Sequence, residues 1–284
     1  MAHVTRRRVL TGLAATTAAV LAPPAGSAFA DGREHGPRPL WRAHAHNDYE
    51  HPRPLFDALD HRFGSVEADI FLVDGELLIA HSADELDPTR TLEGLYLAPL
   101  AARVKANHGS VYRGYRHPLQ LLIDIKTEGS STYLALDELL ERYRHLFTTY
   151  SHGRIRRGPV TAVISGDRAA RIPMEAQTVR RAFYDGRLTD LGTSEASFAS
   201  LISDNWTLNF TWPGAGAFPE AERTKLRTIV DTAHARGQQV RFWATPDVAG
   251  PERDALWAEL LAAGVDYLNT DDLAGLEAFL DAHH

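Results

Sequence analysis

From residue 40 onward the chain alternates short β-rich runs with amphipathic segments, a pattern that predicts βαβ units around a parallel sheet. Residues 40–46 read as a first strand. Residues 52–61 read as a short helix, with Leu55, Ala58 and Leu59 on one face and Gly64 as its stop. Residues 65–71 and 76–81 read as the next two strands, joined so tightly through Val73-Asp74-Gly75 that a hairpin-like link is expected. A helix over 99–107 and an apolar strand over 119–125 follow. The next helix carries Leu136, Leu139, Leu140, Tyr143 and Phe147 at i, i+3, i+4, i+7 and i+11, so one face is buried.

Strands over 160–165 and 180–184 come next, then a helix marked by Leu226, Ile229, Val230 and Ala233 and stopped by Gly237. A strand over 239–244, a helix over 251–263, a strand over 265–270 and a helix over 273–282 complete the series. That order supplies eight strands, enough to close an α/β barrel. Residues 202–212 read as a rim element. No internal repeat or second domain is evident.

The amino end has a different pattern. Arg6, Arg7 and Arg8 precede an apolar stretch, and Ala28-Phe29-Ala30 fits the small-residue rule for signal cleavage. Residues 1–30 therefore read as a signal peptide of twin-arginine type, which predicts an exported, extracellular protein. The apolar run is short and ends in Pro23-Pro24, so no stable membrane span is expected. Residues 31–39 read as a mobile polar leader, and residues 40–284 as a single catalytic domain.

Composition narrows the chemistry. There is no cysteine, which excludes disulfides, thiolate metal sites and a cysteine nucleophile. Without its first thirty residues the chain has 27 basic and 37 acidic residues, a formal charge of −10. This argues against nucleic acid as a partner. A small anionic substrate would need a local cation.

In parallel α/β folds function collects at the carboxyl ends of the strands. Glu67 and Asp69 are two apart on one strand and so point to one face. Two such carboxylates repel unless a cation or a proton sits between them. Asp124 ends a nearby strand. Three hard oxygen donors suit Mg²⁺ or Ca²⁺ better than zinc. The plainer alternative is a set of surface carboxylates, or a salt bridge to Lys126. His46 and His81 end different strands beside the carboxylates, as a general acid–base pair would.

The run His46, Pro54-Leu55, Glu67-Ala68-Asp69, Asp74-Gly75 and His81 resembles the glycerophosphodiester phosphodiesterase and phosphatidylinositol phospholipase C-like superfamily. The likeness continues in Asp124-x-Lys126, Trp243 and Val265-Asp266…Thr270-Asp271, and so spans nearly the whole chain beyond residue 40. His46-Asn47-Asp48-Tyr49 with Thr91-Leu92…Leu95-Tyr96-Leu97 resembles a less characterised branch from bacteria and fungi.

The resemblance implies a TIM-type (β/α)8 barrel, a divalent metal, and cleavage of a small phosphodiester or phospholipid-derived substrate by a histidine pair. On that reading Glu67, Asp69 and Asp124 hold the metal. His46 is the base, His81 the acid, and Lys126 a second cation. Asn47 and Trp243 are candidate substrate-binding positions, with Trp212 as a further pocket wall. Asn47 stands where the family usually has Arg, and Ser82 where it has Asp. Asp124-x-Lys126-Thr127 looks more like the sphingomyelinase D and phospholipase D-like branch, which leaves a lyase forming a cyclic phosphate open. A barrel that binds a phosphorylated ligand without turnover is the non-catalytic alternative. His44-x-His46 also resembles the zinc-binding start of amidohydrolases. Such sites need histidines from later strands, and those over 160–165 and 180–184 have none.

Overall fold

The computed structural model describes residues 1–3 and 36–283. The expected signal segment, apart from its first three residues, lies outside the described residues, as does most of the expected leader. Gly36 N–H donates to the Arg113 carbonyl at 3.3 Å, ahead of the first strand.

Eight parallel strands run round the barrel in chain order: β1 (Leu40–Ala45), β2 (Phe63–Val73), β3 (Leu119–Ile125), β4 (Val160–Gly166), β5 (Ala182–Gly186), β6 (Leu201–Asn205), β7 (Gln239–Trp243) and β8 (Leu268–Thr270). β8 pairs with β1, and a parallel bridge between Arg241 and Tyr267 closes the gap to β7. Helices between the strands complete a TIM-type barrel. The β5–β6 connection holds only a 3-10 turn over Leu188–Asp190 and no α-helix.

Strand parity sorts the side chains. Val66, Ala68 and Ile70 of β2, Leu121 and Ile123 of β3, and Val240 and Phe242 of β7 face outward. They join helix residues such as Leu136, Leu139 and Leu140 in one continuous core. Inside the barrel, Leu122, Val163, Phe183, Leu201 and Tyr267 form a separate apolar layer. Above that layer the inward positions turn polar: His44, Glu67, Ser165, Asp185, Ser203, Arg241 and Asn269 are all buried. This switch within single strands makes the carboxyl end of the barrel the site of chemistry.

Three expectations along the strands need correction. Residues 76–81 are not a barrel strand: Glu76–Ile79 pairs antiparallel with the outer half of β2, Val73 opposite Glu76 and Ile70 opposite Ile79. β2 is eleven residues long, while its register with β3 stops at Ile70, so its free end needs another partner. The two-residue turn Asp74-Gly75, with φ of 49° and 87°, folds the chain back onto it. Conversely, the stretch expected as a rim element contains β6, which supplies the missing barrel strand, followed by the short helix Trp206–Asn209. Arg180 belongs with Val179 to a small second sheet, and the barrel strand begins at Ala182.

Candidate active site

β2 and β3 run in a register that sets Asp69 directly beside Asp124. Glu67, one pleat deeper on the same face, completes a trio whose ligand atoms lie within 4.8 Å of one another. Each carboxylate has one oxygen engaged. Glu67 Oε2 accepts from Arg241 at 2.8 Å and from His44 Nε2 at 3.0 Å. Asp69 Oδ2 accepts from the Tyr49 hydroxyl at 2.6 Å and pairs with Lys126 Nζ at 2.9 Å. Asp124 Oδ1 pairs with the same ammonium at 3.0 Å. The other oxygen of each accepts no hydrogen bond among the described residues, and Asp69 Oδ1 is fully buried in that state.

An orphaned buried carboxylate oxygen is costly unless something meets it. Three carboxylates whose ligand atoms lie this close together, each with an oxygen to spare, fit a hard divalent cation. Two fixed cations against three carboxylates leave one negative charge. A divalent ion would turn that into one positive charge, which matches a phosphodiester monoanion. Burial, followed by the neighbouring Glu67 charge, raises Asp69 to about 6, as expected for carboxylates crowded without such an ion. Burial likewise raises Asp124. Burial would lower Lys126, but Asp124 and Asp69 outweigh it and hold the ammonium above its ordinary range. The salt bridge to Lys126 is thus present, and it leaves the three open oxygens free.

The histidines arrive from two sides. His46 follows β1, and its backbone N–H donates to the Thr270 carbonyl at 3.0 Å. Its Nδ1 lies 2.8 Å from Asp271 Oδ1, which leaves Nε2 uncommitted. Burial works against its charge, yet the Asp271 hydrogen bond and the field of Glu67 hold His46 above its ordinary value. Asp271 is held in turn by Asp247, which accepts its N–H at 2.6 Å and the Thr270 hydroxyl at 2.6 Å.

His81 is carried back to the trio by the hairpin strand. Its Nδ1 lies 2.9 Å from the Tyr49 hydroxyl and 3.8 Å from Asp69 Oδ2. With the Tyr49 O–H donating to Asp69 Oδ2, the phenol oxygen can accept from His81 Nδ1–H, which leaves Nε2 free. The side chain is about half exposed, at 54%. Asn47, at φ 48° in the left-handed region, places its Oδ1 3.0 Å from the same phenol oxygen.

Two loops hold these groups in place. Asp48 Oδ2 accepts Leu55 N–H at 2.6 Å and the Tyr96 hydroxyl at 2.8 Å, fixing the turn after β1. Lys126 N–H donates to the Ile70 carbonyl at 2.9 Å, and Thr127 Oγ1 accepts Leu72 N–H at 3.0 Å, tying the loop after β3 to β2. At the end of β4, Gly166 has φ 80°, and a Cβ there would collide with the Ile125 backbone and come 2.7 Å from Asp124 Oδ1. Only glycine lets the chain pass so close to that carboxylate.

The substrate-binding expectations fare unevenly. Trp243 is half-buried on the inward face of β7, opposite Asn205, at the same end of the barrel as the trio. Trp212 is a buried packing residue, stacked on Phe218 at 4.5 Å between ring centres. Tyr49, Arg241 and Asn269 escaped the sequence reading. A charged residue at an inward position of Gln-Val-Arg-Phe-Trp was the available signal for Arg241. Tyr49 was visible as part of the run His46-Asn47-Asp48-Tyr49, but nothing local gave it a role in the site. A cavity of about 350 Å³ opens at the other end of the barrel, lined by residues such as Gln120, Thr161, Phe183, Gln239 and Tyr267, away from this chemistry.

Comparison with known proteins agrees with this architecture. The AIM6-like phosphodiesterase domain matches residues 38–185, and the glycerophosphoryl diester phosphodiesterase family matches residues 239–274. Altered inheritance of mitochondria protein 6 of Eremothecium gossypii is 32% identical over 270 residues, covering 84% of this chain and 69% of its own. Its homolog in Arthroderma benhamiae is 28% identical over 264 residues, covering 83% and 82%. A glycerophosphodiester phosphodiesterase structure from Parabacteroides distasonis superposes with a TM-score of 0.53 at 14% identity, covering 87% of this chain and all of that one, which shows the shared fold.

The expectation of an exported, extracellular protein is overturned. The relatives that span most of the chain are named for the inheritance of mitochondria, a process inside the cell, and the segment on which that expectation rested lies outside the described residues. Among the described residues no helix is long and apolar enough to cross a membrane. On a barrel of glycerophosphodiesterase type, with more than half its length matched by one domain family, the chain belongs to the AIM6-like phosphodiesterase family.

Proposed function

We propose that this chain is a metal-dependent phosphoric diester hydrolase acting on a glycerophosphodiester or a related phospholipid head group. The observation that supports it is the trio of carboxylates, each with one oxygen engaged and one open, flanked by two histidines whose Nε2 atoms are free. Glu67, Asp69 and Asp124 would hold Mg²⁺ or Ca²⁺. When bound, that cation supplies a Lewis acid for a non-bridging phosphate oxygen. Lys126 stays within the cluster as a second cation, bridging Asp69 and Asp124 and offsetting their mutual repulsion.

His46 takes the proton of the attacking hydroxyl on Nε2 while Asp271 stabilises the resulting imidazolium. The attacking oxygen forms its bond to phosphorus, and the bond to the leaving oxygen breaks. His81 gives its Nε2 proton to that oxygen, releasing the alcohol. Trp243 and Asn47 border the space left for the organic part of the substrate.

The test is phosphorus NMR of the purified protein with glycerophosphodiesters, lysolipids and phosphoinositides, with and without chelator. Cleavage that stops with chelator and returns with Mg²⁺ is expected. Undiminished cleavage in excess chelator, with no metal found by elemental analysis, would refute the metal assignment. A shift of ligand signals without any product would favour a binding protein.

A further inference from the structure

The inner face of the barrel carries a hydrogen-bonded chain that the proposed chemistry does not use. Gln120, buried at the amino end of β3, donates its Nε2–H to Ser65 Oγ at 2.9 Å. Ser65 lies 2.7 Å from His44 Nδ1, and His44 Nε2 lies 3.0 Å from Glu67 Oε2. Because Ser65 Oγ accepts from Gln120, its own O–H is left to donate to Nδ1. The imidazole proton then sits on Nε2 and points at Glu67.

His44 is wholly buried, and its ring lies edge-on to Tyr267 at 6.4 Å, so it has little freedom to turn away. Arg241 Nη2 donates to the same oxygen, Glu67 Oε2, at 2.8 Å, while that Nη2 and Nε also donate to Asn269 Oδ1 at 2.6 and 2.9 Å. Two donors fixed on different strands, His44 on β1 and Arg241 on β7, therefore clamp one oxygen of Glu67. A carboxylate clamped in this way has no rotation left, so its other oxygen keeps one direction.

We propose that His44 is a positioning residue. Set by Ser65 and Gln120 as the Nε2–H tautomer, it holds Glu67 Oε2 so that Oε1 faces the cation site shared with Asp69 and Asp124. This rests on the metal reading given above. It differs from the zinc-type role that His44-x-His46 suggested, because His44 touches a ligand and would not itself be one. Outer groups that orient ligands in this way commonly govern metal affinity by 10- to 100-fold.

The experiment is calorimetric titration of the metal-free protein with Mg²⁺ and Mn²⁺, with thermal unfolding recorded for every variant. His44→Leu is expected to keep the fold and to weaken metal binding by roughly 10- to 100-fold. His44→Gln, whose amide N–H can reach the same oxygen, is expected to recover most of that affinity. Ser65→Ala, which frees the ring to adopt the other tautomer, should fall between wild type and His44→Leu. If His44→Leu does not fold, Ser65→Ala and His44→Gln carry the test. Metal binding equal to wild type in both His44→Leu and Ser65→Ala, or a His44→Gln variant no better than His44→Leu, would overturn the proposal. Wild-type protein that binds neither ion would instead refute the metal reading beneath it.

Discussion

Each functional side chain here is defined by what its second atom touches. His46 is the clearest case, because its Nδ1 is committed to Asp271 and its pKa is raised. A base must be neutral to act, so the acidic limb of the pH–rate profile should lie above the usual histidine value of about 6.5. Asp271→Asn removes the partner charge that favours imidazolium. The limb should move to lower pH in that variant, and an unchanged limb would mean that His46 is not the titrating base. The two histidines should also separate by substrate. Single His→Ala changes should each cost on the order of 10²–10⁴ in rate on a natural diester. An aryl diester, whose leaving group needs little protonation, should rescue His81→Ala and not His46→Ala. Rescue of the His46 variant alone would reverse the two roles.

At the scale of elements, the hairpin on β2 delivers His81. Its turn at Asp74-Gly75 is open to solvent, since a Cβ on Gly75 would meet nothing within 4 Å. Gly75→Val therefore strains only the backbone, by roughly 1–2 kcal/mol, or about 2–8 °C in Tm for a domain of this size. Gly153, at φ 81° in the turn joining Thr149–Ser151 to Arg154–Arg156, is equally open and serves as a matched control. The two valine variants should unfold at similar temperatures, but only Gly75→Val should lose activity. Equal activity in both would separate His81 from the hairpin's geometry. His81 itself was legible in the sequence, and so was the hairpin-like link that carries it; only the place of residues 76–81 among the eight barrel strands was wrong, because a strand that pairs across a barrel and one that folds back on its neighbour share the same alternation. β6 was missed for the converse reason. Its five residues end in Asp204-Asn205, and polarity that marks a site-facing strand end looks locally like a loop.

For the whole molecule, buried ionisable groups near the site set the response of the metal-free fold to pH. Burial, then the Arg241 charge, lowers His44 from 6.5 to about 3. Between those values the unfolded chain binds the extra proton, so this group makes the fold more stable as pH rises from 3 to 6.5. Asp48 acts the other way. Burial raises it from 3.8 to about 7, so the folded chain holds the proton in that interval and stability falls as pH rises through it. Asn at position 48 mimics the protonated acid, with one oxygen free to accept from Leu55 and Tyr96. Asp48→Asn should match wild type near pH 4 in thermal unfolding and become the more stable form above pH 7. A difference that does not grow with pH would show that Asp48 is ionised throughout.

Local pattern determined a good deal by itself. The alternation of apolar and polar runs specified an α/β barrel, and the period of two placed Glu67 and Asp69 on one face, since both depend only on near neighbours in the chain. The exchange of strand roles, the Asp271–His46 pair and the clamp of His44 and Arg241 on Glu67 were decided by tertiary structure alone. They join residues 225, 23 and 174 positions apart, and the register that brings such partners together is set by barrel closure, which no local window of sequence contains.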